Sequence, residues 1–333
     1  MNETRNGTTE DPQYDVVVVG AGAAGLSAAL VLTRARCRVA VIDAGEPRNA
    51  PAAHLQGFLS RDGMAPAALL AAGRAEVAGY GAHLVDARAD HIAPAPDGFS
   101  VRLAGGPALT ARRVLVATGL RDELPDLPGV REQWGKDVLH CPYCHGHEVR
   151  DRPLGVLGGR PGAVEQALLL RQWSPDVTLF AHTAEVTDEE RERLDARGVR
   201  TVEGRVKRLS TADGRLRGVE LADGRETPRE AVFVLPRPVP GDTLLTGLGC
   251  AVDETGWVRV DPTGRTSVPG VWAVGNVADR RAQLITAAGA GSAAAIALHH
   301  DLVDEETARA VERLRAAKTP APAPAPAVRA PDQ

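Results

Sequence analysis

The stretch Asp15-Val16-Val17-Val18-Val19-Gly20-Ala21-Gly22-Ala23-Ala24-Gly25 decides the fold. Consecutive valines suit a strand buried on both faces, as in the interior of a parallel sheet. The glycines that follow are spaced G-x-G-x-x-G and open a helical pattern. Each has its own reason: Gly20 allows a tight turn, Gly22 lets the backbone approach a pyrophosphate, and Gly25 permits close packing of helix on strand. The first N–H groups of that helix, at Ala23 and Ala24, are free to donate to phosphate oxygens. Asp43 ends the next strand, where a carboxylate can accept from ribose hydroxyls. A glycine turn alone can be purely structural. Strand, turn, helix and acidic residue together point to a bound dinucleotide.

The pattern occurs twice. The first copy is strand 15–20, helix 21–36 and strand 38–43; the second is strand 154–158, helix 162–173 and strand 176–180. Short apolar runs alternating with helical segments predict parallel sheets with crossover helices. The expected fold is therefore α/β, with two dinucleotide-binding (Rossmann-like) domains. A third segment, 268–279 (VPGVWAVGNVAD), reads as a strand ending in Gly275-Asn276, followed by a small-residue helix over about 284–300. It returns the chain to the first domain. The division this implies is 14–121 plus 247–318 for a discontinuous first domain, with the second inserted at 122–246. Residues 1–13 and the Pro/Ala-rich 319–333 are expected as disordered tails.

The 333 residues, 44% hydrophobic and 25% charged, have the composition of an ordinary globular protein. A net charge of −4 leaves no electrostatic footprint for nucleic acid or an anionic membrane. No apolar run is long enough to span a bilayer, and 1–13 lacks the apolar core of a secretory signal, so a cytoplasmic location is expected. Basic charge is almost wholly Arg, with Lys at 136, 207 and 318, which reflects genome composition rather than chemistry.

Four cysteines in this length do not make a disulfide scaffold. Cys37 and Cys250 stand alone and read as packed thiols. Cys141 and Cys144 form a C-x-x-C within Leu139-His140-Cys141-Pro142-Tyr143-Cys144-His145-Gly146-His147-Glu148. A single turn brings such a pair within bonding distance and often favours one thiolate. His140, His145 and His147 surround it, and imidazole is the side chain best able to move protons near neutral pH. A zinc site would draw on the same Cys and His residues. Their crowding and the absence of a second C-x-x-C argue against a tetrahedral centre. His299 and His300 are expected at the end of the last helix, against its dipole.

The region 14–311 resembles the low-molecular-weight thioredoxin reductase family. The resemblance rests on the first glycine motif, Val114-Leu115-Val116-Ala117-Thr118-Gly119, the C-x-x-C, the 268–279 segment and Gln283-Leu284-Ile285-Thr286. It implies FAD as cofactor and a homodimer. It also extends the candidate cofactor set from the glycine motif and Asp43 to Ala44, Gly45, Arg48, Asn49, Ala117, Thr118, Gly119, Gly275, Asn276, Gln283 and Leu284. Asn276 stands where the family has Asp, and its amide oxygen can still accept. The resemblance implies further that Cys144 faces the flavin and Cys141 exchanges with an incoming thiol.

The chain departs from a reductase in the second motif, Gly158-Gly159-Arg160-Pro161-Gly162-Ala163. Arg160 takes the place of a glycine and Pro161 removes an N–H donor. Ala181-His182-Thr183-Ala184-Glu185 replaces the Arg-rich run that would hold the 2′-phosphate of NADPH, and Asp188-Glu189-Glu190 adds repulsion. NADPH is therefore doubtful, although Arg160 itself could meet a phosphate. The sequence CPYCHGHE is similar to the motif of FAD-dependent dithiol oxidases of holomycin- and gliotoxin-type disulfide natural products. That likeness implies a small-molecule dithiol as substrate and molecular oxygen as acceptor, with His145 the first choice as base and His147 the second. Two alternatives stand beside it: a thioredoxin-type disulfide reductase fed by NADPH or ferredoxin, and a non-enzymatic flavin redox sensor. With 3% aromatic residues, no stacking pocket for a substrate is evident.

Overall fold

The computed structural model describes residues 13–318, so the expected tails fall, apart from Gln13, outside the described residues. Gln13 is tied down, its N–H donating to Thr110 Oγ1 at 3.0 Å. The valine run forms the strand Tyr14–Val19, buried along nearly all its length. It pairs in parallel with Val39–Asp43 on one side and Ala108–Val116 on the other. His83–Asp86 extends the sheet beyond Val39–Asp43, and Gly98–Leu103 with Ala89–Ala95 adds antiparallel strands at the opposite edge. Val271–Ala273 completes this 7-stranded sheet by pairing in parallel with Ala108–Val116.

Apolar layers cover both faces of the sheet. On one lie the helices Ala23–Arg34 and Leu284–Lys318, with Leu26, Leu32, Leu298 and Leu302 inside. On the other, Ile92, Phe99, Val101, Leu244 and Leu245 fill the core. Each buried Leu or Val contributes about 1.5–3 kcal/mol. The two helices touch backbone to backbone: a Cβ at Gly291 would lie 2.0 Å from the Ala24 carbonyl oxygen.

A second sheet has the order Arg200–Val202, Val177–Phe180, Leu154–Leu157, Ala231–Phe233, Val138–Leu139, with every pairing parallel. Its first crossover helix is Ala163–Leu170. The three-stranded sheet Val206–Ala212, Arg215–Leu221, Glu226–Pro228 packs Leu209, Leu216 and Val219 against Phe180 and Val232. Both passages between the two main sheets run in one antiparallel ribbon, Leu120–Glu123 against Arg237–Pro240. The short helix Leu244–Gly247 already belongs to the first core.

Two expectations need correction. The last helix does not stop near residue 300 but runs from Leu284 to Lys318, which places His299 and His300 in its interior, away from its C-terminal end. Its polar second half is held from the side by two arginines of the strand Ala108–Val116 and by Arg265. Arg113 Nε donates to Asp301 at 2.7 Å, Arg112 reaches Glu306 at 2.6 Å, and Arg265 reaches Asp301 at 2.9 Å. The segment 268–279 is extended only over Val271–Ala273, then turns through a 3-10 helix at Gly275–Val277.

Candidate active site

The dithiol sits where the edge strand Val138–Leu139 leaves the second sheet and enters a single helical turn, Pro142–His145. Proline suits that first helical position because its missing N–H would have found no partner there. Cys141 caps the turn, its sulfur accepting the Cys144 N–H at 3.2 Å, and the two cysteines form a disulfide with Cα atoms 5.2 Å apart. Gly146 is fixed by lack of room: a Cβ there would lie 2.6 Å from the Pro142 carbonyl oxygen and 2.8 Å from the Trp173 ring. Tyr143, 70% exposed, meets Trp173 edge to face with centroids 5.7 Å apart. An aromatic pair thus stands beside the dithiol despite the low aromatic content.

The three histidines separate by environment. His140 is half-buried, its Nδ1–H donating to the Val234 carbonyl at 3.3 Å. Gln166 grips the same residue from the crossover helix, Nε2 donating to the His140 carbonyl at 2.7 Å. Burial holds the pKa of His140 below the usual imidazole value, and burial does the same for His145, against the opposing pull of Glu148. Both rings are thereby kept neutral and able to accept a proton. His147 is exposed.

The first glycine turn belongs to the first sheet, after the strand Tyr14–Val19. Gly20 has a φ of +104°, and a Cβ there would lie 2.5 Å from the Ala117 carbonyl oxygen. Gly25 has no room either, since its Cβ would lie 1.9 Å from the Gly20 carbonyl oxygen. At Gly22 a Cβ would meet no described atom within 4 Å, so the turn is open on the outer side, at a helix N-terminus with no side-chain cap among the described residues. Asp43 accepts the Ala21 N–H at 3.0 Å through one oxygen and faces Arg74 at 3.5 Å with the other. Ala44 and Gly45 follow it at the surface. Thr118, between Ala117 and Gly119, has a buried hydroxyl with no partner among the described residues.

Arg48 does something its position in the sequence does not announce. Its guanidinium grips Asp122 of the connecting ribbon through two bonds, of 2.7 and 2.8 Å, and reaches Asn276 Oδ1 at 3.3 Å. Asn276 in turn donates from Nδ2 to the carbonyls of Asp279 and Ala282. Asn49, next to Arg48, accepts the Ala52 N–H through its carbonyl at 3.0 Å. Just before Leu284 opens the last helix, the Gln283 amide spans the disulfide, Nε2 3.5 Å from Cys141 Sγ and Oε1 3.4 Å from Cys144 Sγ. Sequence reasoning placed Gln283 and Arg48 toward a cofactor and missed their reach to the dithiol and to Asp122. It missed Gln166 and Trp173 altogether, because such long-range contacts leave no local pattern.

The second glycine turn is differently furnished. A cavity of about 290 Å³ is lined by Gly158, Arg160, Pro161, Glu165, Glu185 and Glu190. Arg160 is thus outnumbered by carboxylates. Part of that charge has a structural task, since Thr187 and Glu190 form a reciprocal cap on the helix Asp188–Ala196. His182, where a phosphate-binding arginine was sought, accepts the Val206 N–H through Nδ1 at 3.0 Å. Among the described residues no group of three or more His, Cys, Asp or Glu side chains is placed to hold a metal ion. No described helix is long and apolar enough to cross a membrane.

Two linked dinucleotide-type sheets, the second leading into a C-x-x-C disulfide, define a flavoprotein disulfide oxidoreductase of the thioredoxin reductase type. Residues 14–292 match the pyridine nucleotide-disulphide oxidoreductase family, to which the chain belongs. The structure titled HlmI is 62% identical, with a TM-score of 0.90 over 94% of this chain and 100% of that one. An oxidoreductase from Agrobacterium tumefaciens is 37% identical, with a TM-score of 0.83 over 87% and 98% of the two chains. Thioredoxin reductase sirT of Leptosphaeria maculans is 29% identical over 84% of this chain and 92% of its own length. Thioredoxin reductase tcpT of Claviceps purpurea is 34% identical over 50% of this chain, and a relative in Arthroderma benhamiae 32% identical over 54%. These two matches span only 55% and 46% of the relatives' own lengths.

This family comprises FAD-binding flavoproteins. The first turn fits that cofactor: open space at Gly22, an uncapped helix N-terminus and an unpartnered Thr118 hydroxyl are what a pyrophosphate and its neighbours would fill.

Proposed function

We propose that the protein is an FAD-dependent dithiol oxidase that closes a disulfide within a small-molecule dithiol, using molecular oxygen and releasing hydrogen peroxide. The observation that carries this reading is the contrast between its two nucleotide turns. The first is open at Gly22, whereas the second presents Arg160 and Pro161 among Glu165, Glu185 and Glu190. A dinucleotide carrying a 2′-phosphate would meet like charge there. Electrons then enter through the dithiol. The similarity of CPYCHGHE to dithiol oxidase motifs and the 62% identity to HlmI support the same reading.

The chemistry at the protein's own atoms runs as follows. His145 takes the proton of one substrate thiol, and the thiolate attacks Cys141 Sγ, breaking the Cys141–Cys144 bond. The second substrate thiolate attacks the substrate sulfur now joined to Cys141. The product disulfide forms and Cys141 is expelled. The substrate has lost two protons and an electron pair, and the pair resides on the reduced dithiol. Bound FAD would accept that electron pair and pass it to oxygen.

The test is anaerobic reduction of the yellow protein, separately with NADPH and with a small dithiol. Bleaching by the dithiol and not by NADPH, with peroxide formed on admission of air, is the expected result. Rapid bleaching by NADPH would overturn the reading. It would leave the thioredoxin-type reductase, which the names of the curated relatives favour.

A further inference from the structure

We propose that Tyr143 determines substrate preference: its exposed ring is the platform on which a dithiol carried by a flat, unsaturated ring rests while one of its sulfurs meets Cys141. The proposal rests on the reading of the protein as an oxidase of small-molecule dithiols and adds the class of dithiol the site favours.

The ring belongs to the reactive turn itself. Pro142–His145 carries Tyr143 between the two cysteines, next to Cys144 and two positions from Cys141. Gln283 already lies against both sulfurs, so an incoming dithiol approaches from the solvent side of the turn. Tyr143 is the large side chain on that side, 70% exposed. A lone exposed ring needs no explanation, but this one is held. Trp173 meets it at 86° with centroids 5.7 Å apart. Trp173 is itself fixed: its N–H donates to the Leu170 carbonyl at 2.9 Å, its carbonyl accepts the Asp151 N–H at 2.8 Å, and its ring packs on the core of the second sheet.

A perpendicular contact engages at most one face of the tyrosine ring, so a face stays open. Tyr80, the other exposed tyrosine among the described residues, is covered instead by the Arg34 guanidinium, 5.0 Å from its ring centroid. No described guanidinium lies over Tyr143. An aromatic ring propped by one partner and open on another side favours a second flat ring, offset or edge-on. Because the prop holds the tyrosine before the substrate arrives, less ordering is left to be done on binding. A saturated dithiol offers no π face and forgoes this contact.

The experiment compares ortho-benzenedimethanethiol with dithiothreitol, which have the same number of carbons between their sulfurs and differ in the aromatic ring. Binding of their unreactive S-methylated forms to the oxidised, flavin-loaded protein is measured by isothermal titration calorimetry. Anaerobic flavin reduction by the free dithiols is followed by stopped-flow absorbance. The parent is expected to bind the benzene thioether more tightly than the aliphatic one, and to be half-saturated by less of the benzene dithiol. Tyr143→Ala is expected to cut the ratio of the two affinities about tenfold, whereas Tyr143→Phe keeps it. A displaced turn or a damaged fold lowers both affinities together and leaves their ratio alone. No preference in the parent, or a parent-like ratio in Tyr143→Ala, would overturn the proposal. Slower flavin reduction of that variant by reduced thioredoxin, with the ratio unchanged, would assign the ring to a protein partner instead. The calorimetric ratio decides the role of Tyr143 whether or not electrons flow, while absence of bleaching with both dithiols would strike the oxidase reading alone.

Discussion

Cys144 and His145 adjoin in the chain yet are expected to fail differently. Cys144→Ser should abolish dithiol turnover while the yellow colour remains, because the first glycine turn is untouched; normal turnover would exclude the disulfide as carrier. His145→Gln should slow dithiol-driven flavin reduction about a hundredfold, the usual scale for losing a general base. In the parent the acid limb of that rate should lie below the ordinary histidine value, since burial depresses the His145 pKa. The same depression has a consequence for stability. As pH falls through about 6.5, the unfolded chain binds a proton that the folded His145 refuses, so stability is lost on acidification. His145→Gln should lessen that loss, as read by thermal unfolding between pH 7 and 5. The remaining thiols should stay silent, because burial raises Cys250 and pushes Cys37 up to about 11. The cysteine pair was legible as a motif. The difference in burial between His145 and His147 was not, because burial depends on what folds over a ring rather than on its neighbours in sequence.

Individual elements were legible wherever backbone conformation dictated residue type. The valine strand, the glycine turn and its helix lie within a few residues of expectation. The turn after the dithiol is just as constrained, but by Trp173, which sequence could not bring to Gly146. Gly146→Ala should therefore destabilise the protein by about 1–3 kcal/mol by overpacking, and slow disulfide exchange by shifting the Pro142–His145 turn. Calorimetry and thiol-exchange kinetics would check it; an unchanged melting temperature would contradict the close approach. The last helix was misjudged because its polar half looks like an ending. Its continuation depends on Arg112, Arg113 and Arg265, which are distant in sequence.

For the whole molecule, the repeat of strand, turn and helix announced two dinucleotide-type units, and the closing segment announced that one interrupts the other. The attachment between them was invisible in the sequence. Arg48 ties the connecting ribbon to Asn276 through Asp122, whose side chain is 9% exposed. Arg48→Met should strand that carboxylate and cost about 1–3 kcal/mol. Hydrogen exchange should quicken across 120–123 and 237–240 while the interior strand Tyr14–Val19 stays protected. Equal protection of the ribbon in both proteins would show that Arg48 is not a tie.

The interrupted sheet also sets an order of events on the ribosome. Val114–Val116 must wait for their partners Val271–Ala273, and Arg113 for Asp301, 188 residues further on. At about 5–20 residues per second this delay lasts on the order of ten seconds or more. The inserted unit, entered and left through one ribbon, emerges entirely within that interval and can finish folding first. Capture of the flavin by a completed first unit is thereby deferred until nearly the whole chain has been made. A nascent chain halted before residue 271 would hold a finished insert beside a sheet still lacking its last strand.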